Sequence, residues 1–187
     1  LNDISKKQEI ELCRDFAMPV SAHALRHITG LTNLTPAQMD EVSQGMIDGV
    51  ANYAGDPTIE ARCHAATELI DHSISEMATK LSEGSPPSIL KILSATDQPM
   101  KSVRANIKLA ISGGQNEPRD AIAGAVWALL SHPDQLQKVL DGEFTWLQVF
   151  EEYARWMSPI GMSPRRVAQD FEWNGIELVP EQRVFLM

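Results

Sequence analysis

The chain has 187 residues, is 43% hydrophobic and sets 16 Lys and Arg against 25 Asp and Glu, a formal charge of −9. This describes a globular chain of one domain or two, with no basic stripe for a phosphate backbone and, at 6% aromatic residues, few stacking platforms, so nucleic acid is excluded as the main partner. The longest apolar run, Ala121 to Leu130, has ten residues where a spanning helix needs about 20, and two cysteines build no disulfide framework, so a soluble chain in a reducing, cytoplasmic setting without a membrane is expected.

Helices are predicted up to about residue 158. From Lys6 to His27, the residues Ile10, Phe16, Ala17, Val20, Ala24 and Ile28 fall at three- and four-residue steps, predicting a helix bent at Pro19 and stopped by Gly30. Thr35-Pro36-Ala37-Gln38 combines an N-cap, a proline at the first helical position and a capping-box glutamine, which starts a helix running to Tyr53. Asp56-Pro57 repeats the start signal, and Ile59, Ala66, Leu69, Ile70, Ile74, Met77 and Leu81 form an apolar face before Gly84. Ser85-Pro86-Pro87-Ser88 then leads into a brief helix.

Apolar residues from Met100 to Leu130 keep helical spacing over the segment Asp97 to Ser131, a rod of about 50 Å. Its middle, Gly113-Gly114-Gln115-Asn116-Glu117-Pro118, breaks the local rule, because an interior proline costs about 3 kcal/mol and each glycine about 1 relative to alanine. Pro118 has no N–H for the Gly114 carbonyl, so a kink with an open acceptor is expected beside Glu117. Such a notch suits close approach of a small ligand or water; a plain solvent-facing break between two helices would read the same way.

The following helix carries Glu152-Tyr153-Ala154-Arg155, whose three-residue spacing puts carboxylate and guanidinium on one face. Past Pro159 the pattern turns to strand: Arg165 to Glu172, an Asn174-Gly175 hairpin turn, and a return from Ile176 to Met187 broken near Pro180. The sequence opens at Leu1 without methionine and closes on the apolar Val184-Phe185-Leu186-Met187, so a piece of something longer is expected. Two sets, His23 with His27 and His64 with Glu68 and His72, have metal-compatible spacing without further ligands and read as surface histidines. Trp127, Trp146, Trp156 and Trp173 read as core or edge packing.

Taken in order, GGQNEPRD in a long helix, SHPDQL, EEYAR, RRVAQDFEWNGIEL and RVFLM resemble the central portion of a cytochrome P-450. The helices Pro36–Tyr53 and Pro57–Leu81 resemble that family's substrate-access lid, and CRDFAMPVSAHALRHITGL the helix before it. The resemblance implies a mainly α fold with a small β region, one partial domain over 1–187: lid and preceding helices over 1–96, central and Glu-x-x-Arg helices over 97–158, and the β hairpin region over 159–187. It implies a haem cofactor, dioxygen or peroxide, a ferredoxin or reductase donor, and insertion of one oxygen atom into a small apolar organic substrate. Gly113, Gly114, Asn116 and Glu117 stand where the family handles oxygen, with Asn116-Glu117 replacing the usual acid and threonine. Glu117 would then serve as an acid or base toward peroxide, or pair with Arg119 instead. Arg165 or Arg166 would meet a haem propionate, with Gly114 lining the cofactor, and Glu152 with Arg155 would brace the pocket. Met46, Ile47, Val50 and Tyr53 could line a substrate pocket under the lid, packing in the core being the alternative. The family's ligating cysteine loop lies downstream of any residue here, and Cys13 and Cys63 do not match it, so this chain by itself holds no metal ligand and is expected to be inactive. The contrasting expectation is a non-enzymatic helical scaffold or partner-binding module that has lost haem, its apolar terminal strand pairing with another chain.

Overall fold

Local sequence signals place most helix starts. The computed structural model describes residues 4–6 and 8–187, so residues 1–3, Leu1 among them, and Lys7 lie outside the described residues. A π-helical turn, Cys13–Ala17, runs directly into α1 (Met18–Thr29) and absorbs the irregularity expected at Pro19, which sits within the first two positions of α1, where its missing N–H costs little. α2 (Pro36–Val50) opens with the complete Thr35 and Gln38 capping box, and α3 (Pro57–Thr79) with Asp56 accepting from the Thr58 N–H. α4 (Ile89–Ser94) is capped by Ser88, and α5 (Met100–Ser112) follows Pro99.

The expected rod from Asp97 to Ser131 is interrupted: α5 ends at Ser112 and α6 begins at Asn116, ending at Ser131. The glycines, not the proline, make the break. Gly114 N–H bonds the Ile111 carbonyl at 3.3 Å, tightening the last turn of α5, while Pro118 falls in the first turn of α6, where no backbone donor is needed. α7 (Pro133–Leu140) follows, and α8 (Trp146–Trp156) opens with a second capping box, Thr145 with Gln148.

Two small antiparallel ladders complete the chain. β1 (Ser163–Arg166) pairs with β4 (Arg183–Leu186), and β2 (Phe171–Trp173) with β3 (Ile176–Leu178) across Asn174 and Gly175, both at positive φ. The strand expected from Arg165 to Glu172 is therefore split at Val167, whose N–H and carbonyl bond Gln182 and Glu181 opposite the break near Pro180.

The core lies among α1 to α5. Val103, Ile107 and Ile111 form one stripe of α5, 0–1% exposed, against Val42 and Met46 of α2, Ile70 and Ile74 of α3, and Leu90 of α4. On α1 the buried face is Ala17, Ser21, Ala22, Leu25 and Thr29, whereas Ile10, Val20 and Ile28, expected inside, are exposed. Small polar residues took those positions because each meets a backbone carbonyl: Thr29 that of Leu25, Ser21 that of Gln115.

Beyond Gln115 the picture reverses. Among the described residues there, only Ala121 and Val139 are buried hydrophobics, while Leu130, Leu147, Phe150, Phe171 and Ile176 stand open. The four tryptophans, expected to pack in the core or at its edge, are 51–63% exposed, and Trp127 stacks parallel to Trp156 with ring centroids 6.5 Å apart.

Candidate functional site

Three buried or half-buried side chains hold the break between α5 and α6. Ser21 Oγ donates to the Gln115 carbonyl at 2.7 Å and lies 3.5 Å from that of Gly114, so the acceptor expected to stay open is answered from α1. Ser43 Oγ of α2 donates to the Ile111 carbonyl at 3.2 Å, and the Gln115 side chain reaches Asp40 Oδ1 of the same helix at 3.3 Å. The break is thus tied to the helix that the sequence assigns to a lid. Gln115 is fully buried, and its Oε1 has no hydrogen-bond partner.

Gly113 and Gly114 face different surroundings. Gly114 is packed against Leu25 of α1, whereas Gly113 is exposed. With Ala105 and Leu109 at four-residue steps before it, Gly113 continues an open strip of small and apolar surface on α5, and Leu109 is 71% exposed. Glu117, in the first turn of α6, is half-buried, and its Oε2 is shielded from solvent without a hydrogen-bond partner. The pairing with Arg119 weighed above is not formed; Arg119 Nε bonds Asp120 Oδ1 at 2.7 Å. That bond, with the Asp120 charge, raises the Arg119 pKa against some loss from burial. Asn116 is half-buried beside them.

The remaining candidates stand apart. Glu152 and Arg155 pair with each other on exposed α8 through two bonds of 2.7 Å, and the Arg155 fork holds the Glu152 carboxyl below its usual range. Arg165 is exposed, its Nη1 bonded to Ser163 Oγ at 2.6 Å and the Pro164 carbonyl at 2.8 Å, while Arg166 pairs with Glu181 at 2.8 Å. Met46 is 7% exposed in the core and Ile47 half-buried, but Val50 and Tyr53 are 79% and 80% exposed, so the four do not share one pocket wall. Tyr53 instead lies under the Arg183 guanidinium, 5.6 Å from the ring centroid, joining the α2–α3 turn to β4. His23 and His27 touch edge to face at 4.7 Å and His64 lies 3.7 Å from Glu60; among the described residues no group of three or more His, Cys, Asp or Glu is placed to hold a metal.

The sequence did not single out Ser21, Ser43, Asp40 or the buried side chain of Gln115. Their only signal is polar residues on otherwise buried helix faces. On the open strip at Ala105, Leu109 and Gly113, a Cβ at Gly113 would meet nothing nearer than the Leu109 carbonyl oxygen at 3.6 Å, which leaves space for close approach to the backbone. The donor set for iron is not met: Cys13 is exposed on the π-helical turn and Cys63 packs against Gly49 of α2. The space at Gly113 leaves room for a flat cofactor, while neither cysteine stands where it could ligate one beside that strip. No helix is long and apolar enough to cross a membrane.

No family model matches the chain. It is 25% identical over its whole length to the biotin biosynthesis cytochrome P-450 of Bacillus subtilis, covering 48% of that protein. It is 22% identical to pulcherriminic acid synthase of the same organism, over 95% of this chain and 45% of that one. Among solved structures, P450BioI in complex with an acyl carrier protein ligated to hexadec-9Z-enoic acid superposes with a TM-score of 0.82 at 21% identity, over 100% of this chain and 49% of that one. The chain spans about half the length of the curated relatives it matches.

Proposed function

From the homology of this chain to cytochromes P-450 over about half their length, we propose that it forms the oxygen-side wall and lid of a haem-dependent monooxygenase acting on a small apolar organic substrate, within one partial domain over 1–187. The observation that carries the reading is the break itself: Gly113 open to a flat apolar strip, with the unpartnered Glu117 oxygen three residues past Gly114. Haem, when bound with a cysteine ligand that this chain does not supply, would provide the oxidising chemistry.

The residues here do the rest. Leu109, Ala105 and Gly113 exclude water from one face of the pocket, and Gly113 leaves the space that a side chain would fill. Glu117 holds or accepts a proton at Oε2, where a threonine hydroxyl would both donate and accept; a carboxyl in that place favours peroxide over an electron-donor route. Ser21, Ser43 and Gln115 fix the break, and Arg165 lies on the strand from which a guanidinium could meet a carboxylate of the cofactor. Glu152 and Arg155 brace the α8 side.

The test is a reduced, carbon monoxide-bound spectrum of the complete protein containing this chain, followed by turnover with peroxide and with an electron donor. Thiolate-ligated haem and peroxide turnover that falls about a hundredfold in Glu117→Gln are expected. Absence of haem removes the reading in favour of a scaffold. Peroxide activity that Glu117→Gln leaves untouched removes the role of Glu117 alone.

A further inference from the structure

A cavity of about 580 Å³ opens between α3 and the first half of α5, lined by Asp71, Met100, Lys101, Arg104, Ala105 and Lys108. Three of the six are cations, and their positions at 101, 104 and 108 gather them on one face of α5. One carboxylate faces them. Asp71 Oδ2 accepts from Lys108 Nζ at 2.7 Å, and its Oδ1 lies 3.6 Å from Arg104 Nη1. Arg104 is also held from α3 by Ser75 Oγ, at 2.9 Å from Nη2. These contacts orient two of the cations, while Lys101, one turn earlier, forms no ion pair among the described residues.

The charge is the unusual feature. A chain with nine excess negative charges concentrates three positive ones around a recess and cancels only one, leaving a local balance of +2. Crowded cations raise each other's energy unless an anion enters. Met100 and Lys101 of the first turn of α5 line one end of the recess, where the helix dipole adds positive potential.

We propose that this recess binds the dianionic phosphate group of a soluble phosphate monoester. A charge of −2 matches the +2 of the cluster, the Arg104 guanidinium presents a planar fork to two oxygens, and Lys101 and Lys108 supply point charges on either side. Met100, exposed at the rim, offers apolar surface to the organic part. Ala105 borders both this recess and the strip assigned to the cofactor, but the cations and Asp71 take no part in that reading, and the test uses no haem.

Inorganic phosphate, titrated into the complete protein containing this chain at constant ionic strength and followed by ¹H–¹⁵N spectra, is the probe. Saturable shifts confined to residues around 71–75 and 100–108 are expected. Affinity should fall at least tenfold in Lys101→Glu, which breaks no contact of the fold, and should drop between pH 7.5 and 5.5 as phosphate takes up its second proton. Shifts that do not saturate, that scatter over the surface, or that Lys101→Glu leaves unchanged overturn the proposal. So does capture by vesicles containing phosphatidic acid with no response to inorganic phosphate.

Discussion

At Gly114 a Cβ would overlap the Ala110 carbonyl oxygen and stand 3.0 Å from Leu25 Cδ1, whereas at Gly113 the single atom within reach is the Leu109 carbonyl oxygen at 3.6 Å. The first glycine of the pair is therefore optional for folding and the second is not. Gly114→Ala should cost about 1–3 kcal/mol in chemical denaturation, because both neighbours belong to packed helices. Gly113→Ala, at a backbone φ of −105°, should stay within about 0.5 kcal/mol of the parent. Equal losses at both positions would contradict the packing described for the break. From sequence alone the two glycines are indistinguishable. Their difference arises from the Ala110 carbonyl and from Leu25 of α1, which crowd one of them and not the other.

Helix α2 packs on α3 through small residues: a Cβ at Gly45 would lie 3.0 Å from Ala66 Cβ, and one at Gly49 would overlap Cys63 Sγ. Cys63 is thus a shape partner, not a disulfide former. Gly49→Ala should destabilise the α2–α3 pair, read as faster amide exchange across both helices, and adding Cys63→Gly, which removes both the overlapping Sγ and the Cβ at 2.5 Å, should recover part of the loss. No recovery in the double variant would place the fault in the α2 backbone instead. The same elements show what local signals can and cannot settle. The capping box at Thr35 is complete in four residues of sequence, so α2 starts where expected, and Thr145 with Gln148 carries the same signal for α8, which the sequence reading did not single out. The face of α1 was misassigned, since Thr29 fills a buried position by donating to the Leu25 carbonyl one turn back and Ser21 by donating to the Gln115 carbonyl in the break.

On the scale of the molecule, the chain divides into a half with a closed core, up to Gln115, and a half whose apolar side chains stand in water. Such a surface has no stable solvation, so the isolated chain should bind a hydrophobic dye such as ANS strongly and self-associate as concentration rises; a chain supplying the remaining half of the fold should suppress both. Weak dye binding by a monomer would show that α6 to α8 find cover within this chain. The sequence by itself determined the helix starts, the turn at Asn174 and Gly175, the presence of an irregularity near residue 114 and the order of motifs that carries the family resemblance, because each depends on residues close together along the chain. Only the tertiary structure decided that the irregularity is a break held by Ser21, Ser43 and Gln115, that Glu117 lacks a partner, and that three cations of α5 share one recess with Asp71. Those features depend on which distant helix lies opposite, and no local pattern encodes the identity of that neighbour.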